Sequence, residues 1–144
     1  LAFLSRHLRL LRAVPVLPHL LDAWLRAWTQ LLHPARGAAI DALEAEVESW
    51  STVTGHPHRF GGREWRMGKR EIGHLHGNGV LDVPLPPEQA QRWIASGAAW
   101  EHHTLPGTGW VSLPVRGSAD LESAIALIRE AAGQRRSRRR TADR

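Results

Sequence analysis

Nine histidines in 144 residues are the first feature of this chain that suggests chemistry. Six of them, His56, His58, His74, His76, His102 and His103, fall in one stretch of the chain, and two pairs have His-x-His spacing. Along a strand, residues i and i+2 project to the same side. His74 and His76 are therefore expected side by side with Ile72, while Glu71, Gly73 and Leu75 take the other face. Pro57 weakens the same expectation for His56 and His58. Of the adjacent pair His102 and His103, a regular strand puts only one on that face. Two imidazoles from one strand and a third from a neighbour, written as His74, His76 and His103, suit a divalent metal. The same arrangement suits a metal-free acid/base cluster, and it is also what hydrogen-bonded histidines in a polar strand region look like. Glu71 and Asp82 are the nearby carboxylates. Trp65, Trp93, Trp100 and Trp110 are core residues by default, or an aromatic wall beside the histidines that binds substrate.

Several chemistries are excluded. With no cysteine there is no disulfide scaffold, zinc ribbon or thiolate nucleophile, a usage that fits a reducing, cytoplasmic setting. No glycine-rich dinucleotide or phosphate loop and no Gly-x-Ser-x-Gly elbow is present. Gly68 followed by His74-x-His76 resembles the opening of a cupin motif. Val80 and Leu81 stand where that motif needs a glutamate, so the cupin reading fails.

These residues need elements to position them. Leu1, Leu4, Leu8 and Leu11 recur at helical spacing beside Arg6, Arg9 and Arg12, until Pro15 and Pro18 stop the segment. His19 to His33 is a second amphipathic helix and Ala38 to Trp50 a third. The period then changes. Thr52–His56, Glu64–Met67, Glu71–His76 and Val80–Leu85 read as short strands between glycine-rich turns. Pro86-Pro87 opens a helix to Ser96. Ala99–His103 and Trp110–Val115 are two further strands, and Ser118 caps a helix over Ala119 to Ala132. The expected fold is α+β: one antiparallel-rich sheet of about five strands with helices on one face, in the order α, three or four β, α, two β, α. The expected division is an amphipathic segment 1–36, a domain 37–133 and a disordered Arg-rich tail 134–144.

The net charge of +5 belongs to that tail, whose six Arg and single Asp account for all of it. Residues 1–36 carry five Arg against Asp22, a balance of +4, and residues 37–133 balance to −4. An acidic body argues against a specific nucleic-acid surface. The basic N-terminal segment, residues 1–33, docks on the domain or a second subunit, or makes peripheral contact with an anionic membrane.

The run Lys69-Arg70-Glu71-Ile72-Gly73-His74-Leu75-His76 resembles the signature of the luciferase-domain family. That family holds the luciferases of bioluminescent fungi and many small bacterial proteins. Gly97 to His103, the Trp110 strand and the closing helix follow the family in order, so the resemblance covers about residues 50–133. In the fungal members it implies a monooxygenase-like reaction. A hydroxylated styryl-pyrone takes up O2, forms a peroxide and loses CO2 with emission of light, with no flavin or nicotinamide. Arg70, Glu71, His74, His76 and His103 are the matching polar positions, and Asp82 joins them as a catalytic candidate. The segment after His76 is shorter here, and the hydrophobic anchor of the fungal enzymes is replaced by the proline-broken basic segment. The implied activity is oxygenation of an enolic small molecule with O2 as co-substrate, no obligatory cofactor and a divalent metal as an option. Light emission is not implied. In that chemistry a histidine such as His74 is the base that forms the enolate. Arg70, on the same face by alternation, steadies the oxyanion, and Glu71 orients a neighbour. His102, Trp65, Trp100 and Trp110 are the substrate-binding candidates. The alternatives are a non-catalytic ligand-binding or interaction module and, from the element order, a double-wing-like DNA-binding protein.

Overall fold

The computed structural model describes residues 16–142, with side chains to residue 133. The leucine stripe of residues 1–13 lies outside the described residues. Two helices come first, α1 (Leu17–Leu32) and α2 (Pro34–Glu48), each with a proline in its first turn, where the missing N–H costs nothing. Four strands follow: β1 (Thr54–Pro57), β2 (Arg63–Met67), β3 (Arg70–Leu75) and β4 (Val80–Pro84). Helix α3 (Pro87–Ala95), the two-residue strand β5 (Trp100–Glu101), β6 (Trp110–Pro114), a 3-10 turn (Ser118–Asp120) and α4 (Leu121–Ala142) complete the chain. The six strands form one antiparallel sheet in the order β1-β2-β3-β4-β6-β5. This is the expected α+β architecture with one more strand than the five anticipated. Pro57 is accommodated because β1 is an edge strand. Helix α4 runs past Ala132 into the arginine run, which holds no proline and whose arginines favour helix.

The core lies on one face of the sheet. In β4, Leu81 and Val83 point into it and Asp82 away; in β6, Val111 and Leu113 point in and Ser112 away. Ile40, Leu43 and Val47 of α2 and Ala124, Leu127, Ile128 and Ala131 of α4 close over that face. Helix α3 is fastened to α4 by Trp93, whose indole N–H donates to Glu130 at 2.8 Å.

Helix α1 is turned opposite to the usual sense. Its polar side meets the domain. Arg26 pairs with Asp41 at 2.5 Å and Glu44 at 3.0 Å, and Asp22 accepts the backbone N–H of Gly77 at 2.8 Å. The fit is close enough that a Cβ on Gly77 would stand 2.6 Å from the Asp22 carbonyl. Leu20, Leu21, Trp24, Trp28, Leu31 and Leu32 face outward, with the two indoles stacked 5.5 Å apart. Among the described residues no helix is long and apolar enough to cross a membrane.

Candidate functional site

The face of the sheet turned away from the core carries one continuous row across all six strands. Its members are paired neighbours: His56, Glu64, His74, Asp82, Ser112 and Trp100. The middle of the row is dry. Glu64, His74, Asp82 and Ser112 are buried, and Glu64 is paired with Arg66.

The expected alternation along β3 fails at one residue. Trp65 pairs with Gly73 and Arg66 with Glu71, so Ile72 has no partner on β2 and forms a β-bulge. The extra residue reverses the parity of everything before it. Ile72 and Leu75 both enter the core, and Glu71 joins His74 on the polar face. Gly73 allows the bulge, with φ of 153° and room for no more than hydrogen: a Cβ there would lie 3.0 Å from the Asp82 carbonyl. The parity change also corrects the expectation for Arg70. Its guanidinium sits on the helix side, donating to the carbonyls of Ala131 and Ala132 in α4, away from the histidines.

Asp82 is the hub. Its Oδ2 lies 3.3 Å from His74 Nε2, 3.2 Å from His76 Nε2 and 3.5 Å from His102 Nε2, and its Oδ1 accepts the Ser112 hydroxyl. The aspartate side chain is only 3% exposed. Burial alone would raise its pKa, yet the hydrogen bonds from His74, His76 and Ser112 hold it well below the usual carboxylate range. His74 is gripped on its other nitrogen by Glu71, Nδ1 to Oε1 at 2.6 Å. Burial opposes its charge, but the bonds to Asp82 and Glu71 outweigh that and push its pKa up to about 9. Glu71 is in turn held below its ordinary value: burial resists, and the bond to His74 prevails. The arrangement is an imidazolium clamped between two carboxylates. His74 is then no neutral base at pH 7, contrary to its expected role, and both of its nitrogens are occupied.

The remaining rings differ. His58 stacks on His74, 3.9 Å between centroids and nearly parallel, and its Nδ1 donates to the Gly61 carbonyl at 3.2 Å. Burial, then the charge on His74, lowers its pKa. His102 is also lowered, first by burial, and its Nδ1 accepts from the Thr104 backbone at 3.3 Å. The structure thus turns His102 toward Asp82 and leaves His103 exposed, stacked outside it at 5.0 Å. Trp110 is half-buried, 5.5 Å from His74 and 6.0 Å from His102. Trp65 is fully buried in the core rather than beside the histidines, because residues flanking Glu64 face the helices. Trp100 ends the row and is 46% exposed.

Residues 69–131 match the family model described as Luciferase domain. This segment is similar to the luciferase-domain family. No curated protein and no solved structure matches the chain. The matched segment contains Glu71, His74, His76, Asp82, His102 and Ser112, so the hub and its partners come from within it. His58 lies before it and reaches the site from the loop after β1.

Two members of the site around Asp82 were given no role from the sequence. His58 was visible only as half of a His-x-His pair broken by proline. Ser112 was signalled by its place between Val111 and Leu113, a small polar residue in an apolar strand. Two triads bring donor atoms within 4.8 Å of one another: His74, His76 and Asp82, and His58, Glu71 and His74. The site therefore offers a buried carboxylate, a fixed imidazolium and two buried rings, His58 and His102, whose pKa values are lowered. That set can move protons, orient a polar ligand or hold a cation.

Proposed function

We propose that this protein is an enzyme that oxygenates a small enolic molecule at the Asp82-centred histidine face. The observation that carries this reading is the convergence of three imidazoles on one buried carboxylate beside Trp110. The similarity to the family supports the choice of an oxygen reaction. The half-buried indole offers a flat surface for a planar, pyrone-like substrate.

Two rings packed against His74 keep a nitrogen open for proton transfer. His76 gives Nε2 to Asp82 and leaves Nδ1 open, and His58 gives Nδ1 to Gly61 and leaves Nε2 open. A carboxylate behind an imidazole fixes its tautomer and stabilises its protonated form. Burial and the charge on His74 lower the His58 pKa, which leaves that ring able to accept the proton on its open nitrogen. The enol proton passes to that ring, and the enolate carbon gives an electron pair to O2, forming a carbon–oxygen bond. The distal oxygen recovers the proton as a hydroperoxide. Substrate and O2 together balance the product, so no further reductant is needed.

The test is O2 uptake by the full chain with a panel of enolisable aromatic pyrones. Turnover that falls by about 10²–10⁴-fold in His76→Ala or His58→Ala supports the assignment. Tight binding of a pyrone with no O2 uptake would instead make the domain a ligand-binding module.

A further inference from the structure

The crowding around Asp82 Oδ2 has a second consequence. A carboxylate oxygen presents about two lone-pair positions. Three imidazole Nε2 atoms stand at 3.3, 3.2 and 3.5 Å from this one oxygen, and Oδ1 is already taken by Ser112. Ring N–H donors overfill it. A cation held by Nε2 of His74 and His76 and by the oxygen relieves this, because those two rings then offer lone pairs and only His102, whose Nδ1 accepts from Thr104, remains as an N–H donor.

The geometry meets the other requirements of such a site. His74 Nε2 and His76 Nε2 lie 3.3 and 3.2 Å from Asp82 Oδ2, close to the roughly 3.4 Å between two atoms that sit about 2.1 Å from a common tetrahedral ion, and the three residues bring donor atoms within 4.8 Å of one another. Ligating histidines commonly give their second nitrogen to a carboxylate, and Glu71 holds His74 Nδ1 at 2.6 Å. Asp82 and His74 are cross-strand partners on β4 and β3, so the scaffold is stiff. His76 is partly exposed, with 27% of its side chain accessible, which leaves the ion open on one side. Two imidazoles and one carboxylate with open positions suit a borderline divalent ion of the first transition row, ferrous iron among them.

We infer that His74, His76 and Asp82 bind a divalent first-row transition metal, with Glu71 as the positioning residue behind His74. This assignment uses the residues of the proposed oxygenation site but does not depend on that activity. With the metal on His76 Nε2, proton transfer falls to the free nitrogen of His58.

The experiment uses the full chain, stripped by chelator and titrated anaerobically with cobalt(II). One saturable equivalent with visible d–d absorption, displaced by zinc(II), is expected. Glu71→Gln should keep that stoichiometry and weaken affinity by about 10–100-fold. His76→Ala, at a partly exposed position, should lose saturable binding while its circular dichroism stays native. No saturable uptake by the wild type overturns the inference, as does uptake unchanged in both variants, which would place the ion on other histidines. O2 uptake in excess chelator separates the two readings. Turnover there without cobalt binding removes the metal and keeps the oxygenase; cobalt binding without turnover of any pyrone does the reverse.

Discussion

The charge on His74 can be measured through stability, because this chain is unusually quiet above pH 7. It has no cysteine, no tyrosine and a single lysine, so apart from the last part of the titration of its other eight histidines little else changes charge between pH 7 and 10. The His74 pKa rises from 6.5 to about 9 in the folded protein. At 1.36 kcal/mol per unit, that is about 3 kcal/mol of stabilisation. The ring is buried, 8% exposed, so solvent screening removes little of it. For a histidine with a raised pKa, the contribution is complete below the unfolded value of 6.5 and is lost as pH climbs through 9. Most of the loss should therefore fall between pH 7 and 10. In a domain of this size 1 kcal/mol moves Tm by about 2–4 °C, so the fall should be about 6–12 °C. The assay is thermal unfolding followed by circular dichroism, in chelator so that no metal replaces the proton. Asp82→Asn, which removes one of the two carboxylates, should lose about 3 kcal/mol at pH 7 and flatten the slope above it. A wild-type Tm constant within about 2 °C across the window refutes the clamped imidazolium and the electrostatics built on it.

Four further outcomes follow from particular contacts. Gly73→Ala should destabilise by about 1–3 kcal/mol in chemical denaturation, since it places a Cβ 3.0 Å from the Asp82 carbonyl at a φ that L residues avoid. Arg70→Ala should lose about 1–2 kcal/mol through its bonds to the end of α4, while O2 uptake changes little, because the guanidinium is on the far side of the sheet. Asp22→Ala should cost about 1 kcal/mol by freeing the Gly77 N–H and loosening α1. Trp24→Gln on the outward face of the same helix should stay within about 0.5 kcal/mol in the isolated chain, and a larger loss would mean that this face is covered.

Much of the frame was legible in the sequence because it rests on local rules. Leu81-Asp82-Val83 and Val111-Ser112-Leu113 alternate cleanly, and Pro86-Pro87 marks where α3 begins; α2 instead starts at Pro34, four residues before the expected Ala38, because a proline that stops one helix can open the next. The exceptions have specific causes. Alternation assumes one residue per pleat, and nothing in Glu71-Ile72-Gly73 announces that Ile72 is supernumerary. That single residue exchanges the fates of Arg70 and Glu71. The choice between His102 and His103 depends on a loop held by Thr104 and by the backbone bond from His102 to Trp110, which periodicity cannot reach. The amphipathic pattern of α1 identified a helix but not the side that meets the domain. Ion pairs to Asp41 and Glu44 and the Gly77 cradle settle that, and they involve residues distant in sequence.

The row across the sheet also sets the order in which the site can come into being. Glu71, His74, His76 and Asp82 belong to consecutive hairpins, which close early because their contacts are near in sequence. Ser112 and His102 arrive only when β6 pairs with β4, after the chain between Pro84 and Trp110 has wound through α3 and β5. The buried carboxylate is thus fully partnered only in the finished fold. A ligand that recognises the complete face has nothing to grip in the unfolded chain or in the first hairpins. It would leave the folding rate almost unchanged and slow unfolding, so its occupancy would be read most directly as a longer native lifetime.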